Sequence, residues 1–169
     1  KRKYSIDPKR IYASGLSNGA MMSYRLACDA SEIFAAVGIV SGVLTSSPCK
    51  PSQPVSVIHI HGTADQNVPV AGGVGAKSYD RGVKPPVLDA INFWAKADGA
   101  AQGKSASTGN VKKDDYVGKN GAEVVFYLIN GGGHSWPGGQ RMLATLDAPS
   151  QDMNATRTIW QFFAAHPKP

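Results

Sequence analysis

Short apolar runs separated by polar, glycine-rich segments recur along this sequence. Runs that are apolar on both faces and shorter than eight residues are typical of strands buried inside a sheet. They occupy residues 34–40, 55–61 and 123–129, and the shorter segment 10–14 predicts a fourth strand. Apolar residues at helical spacing predict helices at residues 18 to about 30, 87–97 and 152–165. The last helix is expected to turn Ile159, Trp160, Phe162 and Phe163 inward.

The predicted order of elements is β-α-β-β-α-β-α in a chain of 169 residues. Apolar strands separated by helices favour a parallel sheet covered by helices. The length fits one domain, and no linker or internal repeat divides it. Residues 67–85 and 100–120 are glycine-rich or polar and are expected to be irregular. We therefore expect a single α/β domain, residues 1–169, with about four mostly parallel strands flanked by helices.

The sequence Gly15-Leu16-Ser17-Asn18-Gly19 lies between the first predicted strand and the first predicted helix. A serine flanked by glycines in such a turn is typical of an exposed nucleophile, and the glycines suit a close approach of strand and helix. The motif alone is weak, since any glycine-rich turn can hold a serine. However, Asp65 and His134 each follow a later strand, and the chain order Ser, Asp, His is that of α/β-hydrolase triads. Ser17, Asp65 and His134 are therefore predicted to meet at the carboxyl edge of the sheet.

Each member of this set has a chemical reason. A serine hydroxyl is a poor nucleophile at neutral pH and needs a base within hydrogen-bond reach. His134 is the candidate base, which would take the proton from Ser17 and return it to a leaving alcohol. Asp65 would fix the tautomer of His134 and stabilise its imidazolium form. The backbone N–H of Asn18, at the start of a helix, is the candidate donor to an oxyanion.

The composition excludes several other classes of function. The net charge is +6, but the basic residues are scattered and no aromatic RNA-binding signature is present, so no nucleic acid partner is expected. No apolar run approaches the ~20 residues of a membrane helix, so no membrane partner is expected. His59 and His61 share one face of a predicted strand, but no cysteine or glutamate nearby completes a metal site. We interpret them as support for the Asp65 loop and expect no metal or cofactor.

The two cysteines, Cys28 and Cys49, leave two alternatives open. They form one disulfide that ties the first helix to the loop before the next strand, or they are one buried and one exposed thiol. Two cysteines are too few for a disulfide scaffold or a structural zinc site. The bridge is favoured if the protein is secreted.

Four blocks of sequence resemble the polyhydroxybutyrate depolymerase-like esterases, a group that includes feruloyl and acetylxylan-type esterases. They are GLSNGAMMSYRLACD, IHIHGTADQNVPVAGG, GGGHSWPGG and NATRTIWQFFAAHP. The resemblance implies a secreted or periplasmic serine esterase that acts without a cofactor on short acyl, aromatic or polyester-derived esters, through an acyl-enzyme. It makes Ser17 the nucleophile, Asp65 the acid and His134 the base. Trp136 would either line the substrate pocket or pack within its loop.

The front of the chain departs from the family pattern. In this family several strands precede the nucleophile, and a loop among them gives a second oxyanion N–H. We therefore expect that donor to be missing here and the edge of the first strand to be uncovered. An uncovered edge favours pairing with another chain, so a homodimer is expected. The alternative to an active esterase is a non-catalytic binding or assembly fragment that needs its missing half.

Overall fold

A computed structural model describes residues 3–118, 120–141 and 146–169 of the chain. The described strands are β1 Tyr12–Leu16, β2 Ala36–Val40, β3 Ser56–Gly62, β4 Ala100–Thr108, β5 Val111–Gly118 and β6 Glu123–Ile129. The described helices are α1 Asn18–Asp29, α2 Val87–Ala97 and α3 Ala155–Ala165. None of these helices is long and apolar enough to cross a membrane.

All six strands form one sheet in the order β1-β2-β3-β6-β5-β4. The strands β1, β2, β3 and β6 are parallel, which confirms the predicted α/β class and its four parallel strands. The strands β5 and β4 extend this sheet in antiparallel fashion. Because β3 and β6 are neighbours, the loops that follow them lie side by side at the carboxyl edge.

The expectation that residues 100–120 are irregular is wrong, since this segment is the β4–β5 hairpin; Lys119 lies outside the described residues. Eight of the nine residues of β4 are exposed, so no apolar pattern marks this strand. Its backbone is held by the ladder to β5, in which Thr108 pairs with Val111 across a two-residue turn. That turn is Gly109-Asn110, with Gly109 at a φ of 55°. A Gly-Asn pair between two extended segments is a hairpin signal that the apolar pattern alone does not capture.

Helices cover both faces of the parallel strands. The helices α1 and α2 pack on the face that carries Val37, Ile39, Val57 and Phe126. Helix α3 packs on the opposite face through Ala155, Ile159, Phe162 and Phe163, against β2, β3 and β6. The prediction that Trp160 turns inward is wrong, because its side chain is 66% exposed. The core is therefore built in three layers, helix on sheet on helix.

A disulfide joins Cys28, near the end of α1, to Cys49, in the loop before β3. Of the two alternatives that the sequence left open, the structure therefore has the bridge. It closes a loop across a sequence separation of 21 residues. Such a crosslink stabilises a domain chiefly by restricting its unfolded chain, by about 3 kcal/mol for a loop of this size.

Strand β1 lies at the edge of the sheet. The carbonyl of Ile11 and the N–H of Ser17 both bond toward β2. Because the peptide groups of successive residues in a strand point to opposite sides, those of Tyr12, Ser14 and Leu16 face away from β2. They have no strand partner among the described residues. The uncovered edge is present in this part of the chain, while association through it stays a prediction.

Candidate active site

Ser17 is the single residue between β1 and α1. Its backbone has φ 57° and ψ −117°, a strained conformation for a residue with a side chain. Its N–H donates to the carbonyl of Val40 at 2.9 Å, which fixes the turn to β2. A serine at the start of a helix normally caps the helix with its hydroxyl, but the hydroxyl of Ser17 makes no capping hydrogen bond. The turn therefore leaves this hydroxyl available at the carboxyl edge of the sheet.

The two glycines of the motif contribute differently. A Cβ on Gly15 would overlap the backbone of Gly19, so the strand and the helix approach as closely as the sequence suggested. A Cβ on Gly19 itself would meet no atom within 4 Å. The tight turn therefore depends on the missing side chain of Gly15 and on the backbone of Gly19.

Asp65 follows β3 and is only 4% exposed. Its Oδ1 accepts hydrogen bonds from the backbone N–H groups of Asn67, at 2.9 Å, and Val68, at 2.8 Å. Its Oδ2 lies 2.8 Å from Nδ1 of His134. Burial alone would raise the pKa of Asp65, but the hydrogen bonds from His134 and Val68 outweigh it and lower this pKa. The carboxylate is therefore held in its charged form, facing His134.

His134 follows β6 in a loop that packs against the loop after β3. A Cβ on Gly62 would overlap Gly132, so these two glycines let the loops meet. The backbone N–H of His134 donates to Oδ2 of Asp147 at 2.8 Å, and Lys77 bonds the other oxygen of Asp147 at 3.0 Å. The position of His134 is thus fixed by both its backbone and its ring.

Ser17, Asn18 and His134 line one cleft of about 250 Å³. The other lining residues are Met21, Asn67, Val68, Lys77, Ser78, Tyr79, Asp80, Lys84 and Leu146. Cavities of about 470 and 550 Å³ lie at the other end of the sheet, where parallel α/β folds do not place their sites. No hydrogen bond joins Ser17 to His134 in the described chain. Such contacts are often formed only when substrate is bound.

Of the other two predicted site residues, Asn18 lines the cleft and Trp136 does not. Asn18 is the first residue of α1 and lies in the cleft beside Ser17. Trp136 packs against the core under α3, and its indole N–H donates to Oγ1 of Thr156 at 2.9 Å. It is not among the residues that line the cleft. This position matches the loop-packing alternative, and a role of Trp136 in substrate binding stays a prediction.

Sequence reasoning missed one support of the site and identified another only in part. The first is Asp147, whose carboxylate accepts a hydrogen bond from the backbone N–H of His134 and so holds the His134 loop. The second is a set of buried hydrogen bonds that runs from Tyr24 through His59 and His61 toward Asp65. The polar pair at positions 59 and 61, inside an apolar strand, was the visible signal of the second support.

A strand–turn–helix that carries Ser17, with Asp65 and His134 after later parallel strands, defines the α/β-hydrolase class of proteins. Residues 1–85, half of the chain, match the family model described as phospholipase/carboxylesterase. The chain belongs to this family of α/β-hydrolases.

Feruloyl esterases are among its relatives, which confirms the resemblance to feruloyl esterases seen in the sequence. The chain is 31% identical to feruloyl esterase B of Piromyces equi, over 79% of the chain and 26% of that protein. It is 30% identical to feruloyl esterase D of Neurospora crassa, over 94% of the chain and 49% of that protein. The chain therefore spans at most about half the length of these relatives.

A solved structure supports the fold. The acetyl xylan esterase from Aspergillus awamori matches with a TM-score of 0.59 over 97% of the chain and 62% of that protein. The sequence identity is 16%, so this likeness shows the fold alone.

Proposed function

We propose that the protein is a serine carboxylic-ester hydrolase that works through an acyl-enzyme. One observation carries this proposal: the uncapped hydroxyl of strained Ser17 shares a cleft with a histidine whose other face is bonded to a buried carboxylate. Strain of this kind persists only where the surrounding structure imposes it, and it is common at active sites. The matching family model is described as phospholipase/carboxylesterase and the relatives include feruloyl esterases, which supports hydrolysis of carboxylic esters.

The first half of the proposed reaction is acyl transfer to Ser17. With Nδ1–H of His134 donating to Asp65, Nε2 of His134 has a free lone pair. This nitrogen takes the proton as Oγ of Ser17 attacks the ester carbonyl. The tetrahedral intermediate collapses when its bond to the alcohol oxygen breaks, and His134 gives the proton to the leaving alcohol. The products are the free alcohol and acyl-Ser17.

The second half is hydrolysis of acyl-Ser17. His134 removes a proton from water, whose oxygen attacks the acyl carbonyl. The bond to Oγ of Ser17 then breaks, and the proton on His134 returns to this oxygen. The product is a carboxylic acid, and the enzyme is restored. Throughout, Asp65 stabilises the positive charge on His134.

The oxyanion of both intermediates is proposed to accept a hydrogen bond from the backbone N–H of Asn18. This N–H belongs to the first turn of α1, which lacks an intrahelical acceptor and lies at the positive end of the helix dipole. No acidic residue in the first turn of α1 offsets that dipole. One such donor contributes about 3 kcal/mol to stabilisation of the transition state.

The cleft favours esters with a small acyl group. A volume of about 250 Å³ is below the 300–1,000 Å³ that is usual for sites of drug-sized ligands. Short acyl, aromatic or polyester-derived esters remain the proposed substrates. The small cleft makes short acyl esters the first to test, and the feruloyl esterases among the relatives make aromatic esters the second.

Covalent labelling tests the proposal. A fluorophosphonate probe should modify the protein, and mass mapping of its peptides should place the label on Ser17. A Ser14→Ala variant, which changes an exposed serine on β1, should be labelled like the parent. An unlabelled parent, or a label on any other serine, would contradict the proposed nucleophile.

A second candidate function is a non-catalytic binding or assembly fragment. The share of the relatives that the chain spans, 26% and 49%, is the observation that favours it. This candidate predicts a folded protein that binds polymer or carbohydrate but neither reacts with the fluorophosphonate nor hydrolyses esters. The same labelling experiment therefore separates the two candidates.

We also propose a secreted or periplasmic location. The disulfide between Cys28 and Cys49 supports it, because such bonds persist in oxidising compartments and are rare in the cytosol of mesophiles.

A further inference from the structure

A row of buried side chains links the helix that begins after Ser17 to the loop that holds Asp65. Tyr24, His59 and His61 are each at most 1% exposed. Oη of Tyr24 lies 2.8 Å from Nδ1 of His59, and Nε2 of His59 lies 3.0 Å from Nδ1 of His61. Nε2 of His61 lies 2.8 Å from the carbonyl oxygen of Val68. We call Tyr24, His59 and His61 the buried chain.

The carbonyl oxygen of Val68, at one end of the buried chain, determines which atom donates in each of its hydrogen bonds. A carbonyl oxygen only accepts, so Nε2 of His61 carries the proton that it donates to Val68. A neutral His61 then accepts at Nδ1, so Nε2 of His59 donates. His59 in turn accepts at Nδ1, so the hydroxyl of Tyr24 donates. The hydrogen bonds therefore run in one direction, from Tyr24 to Val68.

The neutral forms that this assignment requires agree with the surroundings. Burial and the neighbouring ring of His61 hold the pKa of His59 well below its ordinary value. Burial also lowers the pKa of His61, although the hydrogen bond to Val68 opposes the shift. Burial raises the pKa of Tyr24. All three groups are therefore uncharged at neutral pH.

Val68 connects the buried chain to the acid. Its carbonyl accepts from His61, and its N–H donates to Oδ1 of Asp65 at 2.8 Å. Nε2 of His61 also lies 3.4 Å from Oδ2 of Asp65, the oxygen that faces His134. His61 thus anchors Val68, the residue whose N–H orients Oδ1 of Asp65. His61 also lies beside Oδ2 of Asp65.

We propose that Tyr24, His59 and His61 are positioning residues that hold the Asp65 carboxylate against His134 and tie its loop to helix α1. This inference rests on the proposed function, since it assigns the buried chain to support of that triad. Burying two imidazoles and a phenol costs free energy unless they are hydrogen-bonded, and a fully bonded set makes the core around it rigid. Here the bonds lead from α1 to Val68, whose N–H orients Asp65.

Variants of His61 and Tyr24 test this proposal in ester hydrolysis. His61→Leu should lower kcat by about 10²-fold with KM unchanged, since small displacements of a catalytic group cost about this much. His61→Gln, whose amide both accepts and donates, should restore most of kcat. Tyr24→Phe keeps the ring and removes only the end of the buried chain, so it should lower kcat by less than His61→Leu. Tyr24→Phe also keeps the test open if His61→Leu does not fold.

A matched control separates positioning from loss of stability. Val57→Ala lies on the same strand and the same face as His59 and His61, and it opens the core without touching a polar group. It should lower the melting temperature and leave kcat unchanged. Equal losses of kcat in Val57→Ala and His61→Leu at matched stability, or full kcat in both His61→Leu and Tyr24→Phe, would overturn the proposal.

Proton NMR makes failure of this inference distinguishable from failure of the esterase proposal. The ring N–H of His134 that bonds Asp65 should give a downfield resonance, assigned as the one that His134→Gln removes. His61→Leu should shift or broaden it, and Val57→Ala should leave it in place, whether or not any ester is hydrolysed. An unchanged resonance in His61→Leu would overturn the positioning role alone. Absence of ester hydrolysis by the parent, with the resonance responding as expected, would overturn the esterase proposal alone.

Discussion

The carboxylate of Asp65 presents its two oxygens to different partners, and only Oδ2 faces Nδ1 of His134, at 2.8 Å. Oδ1 is occupied by two backbone N–H groups. In Asp65→Asn, the amide oxygen keeps those N–H groups and the NH₂ turns toward His134. Nδ1 of His134 must then accept, its proton moves to Nε2, and the ring can no longer take the proton of Ser17. We expect kcat for ester hydrolysis to fall by about 10³–10⁴-fold with the fold retained.

The control for this change is Asp89→Asn, which removes an exposed carboxylate from the first turn of α2. Its kcat should equal that of the parent, and circular dichroism should show both variants folded. A folded Asp65→Asn variant with parental kcat would contradict the role of Asp65.

The glycines of the serine turn should differ in their tolerance of a side chain. In Gly15→Ala the new methyl group overlaps the backbone of Gly19, so the strand and helix must move apart. We expect a loss of about 1–3 kcal/mol in the free energy of unfolding, measured in urea, and a large loss of hydrolysis. Gly19→Ala is the matched control, because its methyl group meets nothing within 4 Å and alanine favours a helix. Equal activity of the two variants would contradict the geometry of the turn.

We expect Asp98 to make the stability of the fold depend on pH. This residue caps the end of α2, is 3% exposed, and has no hydrogen-bond partner for Oδ2 in the described chain. Burial raises the pKa of Asp98 to about 7, although a hydrogen bond from the N–H of Val55 opposes the shift. The folded state thus binds a proton that the unfolded state has released above pH ~4. Stability should therefore fall as pH rises from about 4 to 7, by up to about 1.4 kcal/mol per pH unit.

Urea denaturation across this pH range tests the assignment. Asp98→Asn keeps an acceptor for Val55 and removes the charge, so it should flatten the slope and stabilise the protein at pH 8 by roughly 1–3 kcal/mol. Asp89→Asn should leave the slope unchanged. A parental slope in Asp98→Asn would show that other groups cause the pH dependence.

We predict that the edge of β1, which has no strand partner among the described residues, pairs two chains. The N–H of Ser14 faces away from β2, and proline on such an edge removes a donor without breaking the internal ladder. Light scattering after size exclusion should find the parent and Ser14→Ala as dimers and Ser14→Pro as a monomer. A monomeric parent, or a dimeric Ser14→Pro, would contradict association through this edge.

The sequence predicted the position of a side chain correctly where that position depends only on a strand and on the residues that follow it. Ser17, Asp65 and His134 each follow an apolar strand, so their meeting at one edge followed from parallel pairing alone. In contrast, β4 is exposed along nearly its whole length and is held by backbone hydrogen bonds to β5, which leave no apolar pattern.

Features that depend on distant contacts were beyond the sequence. Tyr24 bonds His59 across 35 positions, and the tautomers of His59 and His61 follow from the carbonyl of Val68. Trp136 lies only two residues after His134 in the chain, yet its ring packs under α3, where Thr156 accepts its N–H. Adjacency to a site residue thus did not place its side chain in the cleft.

The most direct test of the central claim is the rate of p-nitrophenyl acetate hydrolysis by the parent and by Ser17→Ala. The parent should hydrolyse the ester, and Ser17→Ala, folded as judged by circular dichroism, should lose at least about 10³-fold in kcat. Ser14→Ala should retain the parental rate. A folded Ser17→Ala protein that hydrolyses the ester as fast as the parent would contradict the account.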